Sequence, residues 1–180
     1  MGSRLAVIIV ADIVGYSGMM ARDEKSGIAT VKEINDAKLV PICDRHGGEI
    51  LKRLGDGWII AFGSIMAALE CATEIQSKLA KQPMKKLRIG GHLGEITEDE
   101  DEFYGTGINL AARLEAEAPP GGIMISQDLF RQLSGSLAAQ FESAGLLELK
   151  NIPDPVEGFF TGRLRQRSHR KRISAPSSSW

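Results

Sequence analysis

Five residues, two of them on one helix, could carry chemistry. Asp12 closes the apolar run Leu5-Ala6-Val7-Ile8-Ile9-Val10-Ala11, and Asp56 sits in Leu54-Gly55-Asp56-Gly57 between two short apolar stretches. Two carboxylates brought to one sheet edge can hold one or two Mg²⁺ ions, because hard cations take oxygen ligands and leave room for phosphate and water. Two such ions stabilise both the attacking and the leaving oxygen of an in-line phosphoryl displacement. Lys52 lies in the alternation Ile50, Lys52, Leu54, so an ammonium group interrupts an otherwise apolar sheet face. That placement asks for a ligand. Taken singly, Asp56 also reads as a hairpin turn residue and Asp12 as a strand-end cap, so the pair means more than either member. In Ile108-Asn109-Leu110-Ala111-Ala112-Arg113-Leu114, Asn109 and Arg113 are four apart and share a helix face. An arginine fork suits charge developing on a phosphoryl oxygen and an asparagine amide can orient a sugar; a solvated face is the plainer alternative.

The elements that must position these groups follow from periodicity. The run from Leu5 to Asp12 reads as a central strand buried on both faces. After a turn at Gly15-Tyr16-Ser17, a helix is expected from about Asp23 to His46, stopped by Gly47-Gly48. The stretch Gly47 to Phe62 reads as a hairpin whose turn is centred on Asp56-Gly57, a pair favoured where both central residues need positive φ. Ser64 caps a second helix reaching about Lys81, and Leu87 to Leu93 is the next strand. Glu95 to Glu102 reads as an acidic loop, followed by a helix from Ile108 to Ala118 that Pro119-Pro120-Gly121-Gly122 ends. Ile123 to Ser126 is a short strand and Gln127 to Leu133 a short helix; Leu146 to Leu149 and Val156 to Thr161 are late strands. The order βαββαβ, then a helix and small strands, predicts an α+β domain, a ferredoxin-like sheet with C-terminal additions. In such a sheet the first two strands run parallel with the third between them, so Asp12 and Asp56 should be neighbours.

Composition bounds the rest. With 180 residues, 43% of them hydrophobic, the chain can bury a core without staples. A formal net charge of -1, from 22 basic and 23 acidic residues, argues against a nucleic-acid partner and against a polymerase-like template groove. Cys43 and Cys71 lie in apolar helical context, as free buried thiols of a reducing compartment do, and no apolar run approaches the roughly 18 residues of a membrane span, so a cytoplasmic location is expected. His46, His92 and His169 form no ligand cluster. The domain is expected to cover residues 1–164, leaving a basic, serine-rich tail over 165–180 that is either a flexible end or a flank joining a membrane segment or regulatory domain of a longer protein.

Four motifs in order now carry a resemblance. Ala11-Asp12-Ile13-Val14-Gly15-Tyr16-Ser17, Lys52-Arg53-Leu54-Gly55-Asp56-Gly57, the stretch Tyr104 to Leu114, and Leu149-Lys150-Asn151-Ile152-Pro153-Asp154-Pro155-Val156 resemble the catalytic domain of class III adenylate/guanylate cyclases over about Leu5 to Leu164. The resemblance implies that Asp12 and Asp56, with the Ile13 carbonyl, hold two Mg²⁺ or Mn²⁺ ions, that Lys52 recognises the base, that Asn109 positions the ribose and that Arg113 stabilises the transition state. It implies further that the site forms between two catalytic domains, so that a homodimer holds two sites and a monomer none. The second base-recognising position falls on Glu102, where the family more often has Asp or Thr. A lysine donor beside a carboxylate acceptor complements the N1 and 6-amino group of adenine, whereas guanine presents the opposite pair, so ATP is the expected substrate. Glu102 can equally be one more solvated member of the run Glu98 to Glu102. The backbone at Gly15, Tyr16 and Ser17 is a candidate for the β- and γ-phosphates. Lys150 is a further phosphate candidate or a surface lysine in a turn. The rival readings are a non-catalytic cyclase-homology module and a guanylate cyclase; diguanylate cyclisation lacks its Gly-Gly-Asp-Glu-Phe hairpin here.

Overall fold

β1 (Gly2–Ile13) is the strand on which the molecule is assembled, and its alternation divides the core in two. In the computed structural model, which describes residues 2–162, Val7, Ile9, Ala11 and Ile13 point to one face, and Ala6, Ile8 and Val10 to the other. β2 (Glu49–Leu54) and β3 (Gly57–Phe62) form the hairpin, and β3 pairs antiparallel with β1. β4 (Leu87–Asp99) pairs antiparallel with the other edge of β1. With β6 (Ile123–Ser126), β7 (Glu142–Leu147) and β8 (Val156–Thr161), the sheet runs β2-β3-β1-β4-β6-β8-β7. Its first four strands have the expected ferredoxin-like order, and the last three are the C-terminal addition.

Helices cover both faces. α2 (Glu24–Ile34), α3 (Val40–Arg45) and α4 (Ile65–Leu79) bury Val31, Ile34, Ile42, Leu69 and Ile75 against the odd-numbered face of β1. α5 (Thr106–Glu117) lays Ile108 and Ala111 on the even-numbered face. Ser64 caps α4 by accepting from the Ala67 amide at 3.2 Å. Buried Gln76 on α4 donates to the carbonyls of Leu87 and Gly122, at 3.0 and 2.8 Å, and so ties the start of β4 to the turn before β6. Cys43 and Cys71 are free and buried, their Sγ atoms 3.8 Å apart.

Four local expectations are corrected. The acidic stretch is no loop: β4 continues to Asp99 and pairs with β5 (Glu102–Tyr104) through a turn with positive φ at Glu100 and Asp101. Buried Ile96 and half-buried Phe103 anchor this hairpin while its charges face water. The first long helix is interrupted by a π turn at Asn35–Leu39, which spares Pro41 the clash of its ring with the carbonyl four residues back. Gly15-Tyr16-Ser17 is more than a turn, because Gly15 at φ 74 starts α1 (Tyr16–Arg22). The hairpin turn is centred on Gly55-Asp56, with only Gly55 at positive φ, one residue earlier than the Asp-Gly signal suggests. Smaller shifts concern α6 (Gln127–Phe130), which ends early, β7, which begins at Glu142, and α7 (Gly135–Ala138), which periodicity did not announce. The expected boundary at 164, the tail and His169 lie outside the described residues.

Candidate active site

The β1–β3 pairing sets Asp12 opposite Gly57, which puts Asp56 beside the end of β1. The Ile13 amide donates to the Asp56 carbonyl at 3.1 Å and locks the two segments together. Gly57 permits the approach: a Cβ there would lie 3.1 Å from the Ala11 carbonyl oxygen and 3.7 Å from Asp12 Oδ1. Burial first, and Asp56 second, push the Asp12 carboxyl up to about 7. Asp12 Oδ1 is buried without a hydrogen-bond partner among the described residues. A buried carboxylate oxygen with no hydrogen-bond partner, beside a second acidic residue, is a deficit that a divalent cation with oxygen preference fits. Among the described residues no three His, Cys, Asp or Glu side chains converge to cage an ion. A cation here would therefore rest on two carboxylates and would keep its other positions for further oxygen ligands.

Two further charged groups at this edge escaped the sequence reading. Arg88 is the cross-strand partner of Asp12, and its Nε donates to the Ala118 carbonyl at 3.1 Å, at the end of α5. Glu115 is half-buried on the last turn of α5; burial first, and the Asp12 charge second, push its carboxyl up to about 7 against the pull of Arg88. The approach of α5 depends on Gly90, where a Cβ would fall 2.2 Å from the Ala111 carbonyl oxygen and 2.3 Å from the Glu115 amide nitrogen. The sequence held one weak signal: Arg88 is a charge between the strand residues Leu87 and Ile89, both fully buried.

The remaining candidates divide. Lys52 Nζ donates to Glu102 Oε2 at 2.9 Å, so β2 and β5 bring together two residues far apart in sequence. Asn109 is exposed and Arg113 half-buried on α5, both beside the buried stripe of Ile108, Ala111 and Leu114. Gly15 to Ser17 follow directly on Asp12-Ile13, and no side chain caps α1. Lys150 is exposed in a turn closed by the Ile152 amide on the Leu149 carbonyl, and Leu149 packs with Leu114 and Ala118 of α5. No geometry joins Lys150 to the carboxylates. The histidines stand apart: His46 contacts Glu74 at 2.7 Å and His92 contacts Ser126 at 2.7 Å.

A family model described as the adenylate and guanylate cyclase catalytic domain matches residues 4–162. A protein of Rhizobium meliloti named putative adenylate cyclase 3 is 41% identical over 164 residues, 85% of this chain and 27% of the relative. An adenylate cyclase of Streptomyces coelicolor is 29% identical over 131 residues, 72% of this chain and 34% of the relative. The chain thus spans about a third or less of the length of these curated relatives. Among solved structures, an adenylate/guanylate cyclase/hydrolase from Silicibacter pomeroyi superposes with a TM-score of 0.79 at 32% identity, over 89% of this chain and 97% of that one.

Proposed function

This chain belongs to the adenylate and guanylate cyclase catalytic domain family, and on that premise we propose that it converts ATP to 3′,5′-cyclic AMP and pyrophosphate at a site shared between two copies of the chain. The observation that carries the reading is the meeting of Asp12 and Asp56 around a buried, unpartnered carboxylate oxygen. In the reaction the ribose 3′-oxygen forms a bond to the α-phosphorus as the bond from that phosphorus to the bridging oxygen breaks. The hydroxyl proton passes to water or substrate, and pyrophosphate departs. Asp12 and Asp56, aided by the Ile13 carbonyl, would hold two Mg²⁺ or Mn²⁺ ions, which when bound lower the pKa of the 3′-hydroxyl and neutralise the triphosphate.

The chain's own residues supply position and charge. Lys52 donates to adenine N1 and Glu102 accepts from its 6-amino group; their 2.9 Å contact within one chain supports this reading. Asn109 orients the ribose, and Arg113 meets the charge growing on the α-phosphoryl oxygens. The uncapped amides that follow Gly15 at the start of α1, through Tyr16 and Ser17, receive the β- and γ-phosphates, with Lys150 as a further cation. One copy supplies the aspartates and the other supplies Lys52, Glu102, Asn109 and Arg113, so a homodimer carries two sites. Purified protein supplied with ATP or GTP and Mg²⁺ or Mn²⁺ should yield cyclic AMP in excess of cyclic GMP, and Asp56→Ala should lose about 10³-fold or more of the rate. Equal turnover of both nucleotides would remove the ATP assignment; unchanged activity in Asp56→Ala would remove the site.

A further inference from the structure

We propose that Cys43 and Cys71 form a redox modification site, at which an oxidant of the peroxide class joins the two sulfurs in a disulfide that clamps α3 to α4.

These are the two cysteines of the chain. Both are free and buried, at 0% and 1% exposure, and their Sγ atoms meet at 3.8 Å across the contact between the two helices. A disulfide needs a sulfur separation of about 2.05 Å, so each side chain has to yield by about an ångström, which rotation about its Cα–Cβ bond can supply. The backbone around the pair is held in place. Arg45 Nη2 and His46 Nε2, just past Cys43, both meet the carboxylate of Glu74, three residues past Cys71, at 2.5 and 2.7 Å. The Cys43 carbonyl accepts from the amides of His46 and Gly48, at 3.1 and 2.8 Å. The cysteines are 28 positions apart, and the chain between them contains β2, its turn and β3, so the closed loop would hold both Lys52 and Asp56.

The two thiols are chemically unequal. Cys71 Sγ donates to Cys43 Sγ, which pulls the Cys43 thiol below its ordinary value and raises that of Cys71. Cys43 is therefore the nucleophile and Cys71 the resolving thiol. The Cys43 sulfur attacks a peroxide oxygen, the O–O bond breaks, water leaves and a sulfenic acid remains. The Cys71 sulfur then attacks that sulfur, the S–S bond forms, the S–O bond breaks and a second water leaves. The sulfurs lose two electrons, the peroxide oxygens gain them, and the two thiol protons end in the waters. Two molecules of a small thiol, themselves oxidised to a disulfide, restore the pair by exchange.

The test treats the native chain with hydrogen peroxide, blocks the remaining thiols after unfolding and reads the peptide masses. The peptides of Cys43 and Cys71 should appear joined, two hydrogen atoms lighter than their sum. The oxidised chain should melt about 5–10 °C above the reduced one, a shift that dithiothreitol abolishes. In Cys71→Ser the same treatment should stop at a Cys43 sulfenic acid that dimedone traps. Two intact thiols after peroxide would overturn the proposal, as would oxidation of either cysteine to a sulfinic acid without the cross-link, or disulfides between chains in place of the internal one. So would an oxidised chain that melts no higher than its reduced form, since the bond would then clamp nothing. The mass measurement uses the unaltered chain and decides the matter even if Cys71→Ser fails to fold.

Discussion

Asp12 holds a buried carboxylate oxygen without a hydrogen-bond partner among the described residues. Its carboxyl and that of Glu115 are both pushed up to about 7 in the folded protein, whereas in an unfolded chain they ionise near about 4. Between those values the folded state binds more protons than the unfolded one. Metal-free stability should therefore fall as pH rises from about 4 to about 7 and level off above that. Asp12→Asn removes the buried charge: without metal at pH 8 its melting temperature should exceed that of the unaltered protein, while at pH 4.5 the two should nearly coincide, and cyclase activity should be lost. A lower melting temperature for Asp12→Asn at pH 8 would show that Asp12 is not strained there. The Lys52–Glu102 pair is a different case. Both side chains are about half exposed, at 45% and 53%. The contact should therefore contribute only about 0–1 kcal/mol to folding. Glu102→Ala should melt within a few degrees of the parent yet lose much of its preference for ATP over GTP, read as the ratio of the two kcat/KM values. A large drop in stability with the ratio unchanged would make the pair structural.

At the scale of elements, α5 is the part whose seating matters most, since it carries Asn109, Arg113 and Glu115 on one helix. It reaches the sheet through Gly90 and through Gly94, where a Cβ would lie 3.2 Å from the Gly107 Cα. A methyl group at Gly90 would meet backbone atoms at 2.2 and 2.3 Å, which no side-chain adjustment relieves. Gly90→Ala should therefore cost stability at the upper end of the about 1–3 kcal/mol typical of overpacking. Its kcat should fall more than its KM rises, because the helix shift displaces Arg113 from the transition state; thermal melts and steady-state kinetics read both. These contacts were not legible in the sequence, where Gly90-Gly91 reads as a weak spot in a strand rather than a helix seat. The neighbourhood of Asp12 and Asp56 was legible, because the order of strands alone puts the end of β1 beside the β2–β3 turn. The β4–β5 hairpin was hidden by its charges: Glu95, Glu98, Asp99, Glu100 and Asp101 mask the alternation that Ile96 and Phe103 anchor. Arg88 and Glu115 were missed for a related reason, since a lone charge within an element looks solvated until the fold shows what faces it.

For the molecule as a whole, one sheet carries two separate groups of candidate residues, which the proposed shared site would assign to two different substrate molecules. The aspartates lie at the end of β1 and the β2–β3 turn, while Lys52 and Glu102 meet between β2 and β5. Among the described residues no helix is long and apolar enough to cross a membrane. The curated relatives are three to four times longer than the matched domain. The most direct test of the shared site is complementation. Asp56→Ala and Arg113→Ala chains, each inactive alone, are mixed, refolded together and assayed for cyclic AMP. A mixed pair holds one site with both lesions and one with none, so random pairing should restore about a quarter of the activity of the unaltered protein. A mixture as inactive as its components, in a preparation shown to contain mixed dimers, would contradict a site built from two copies of the chain.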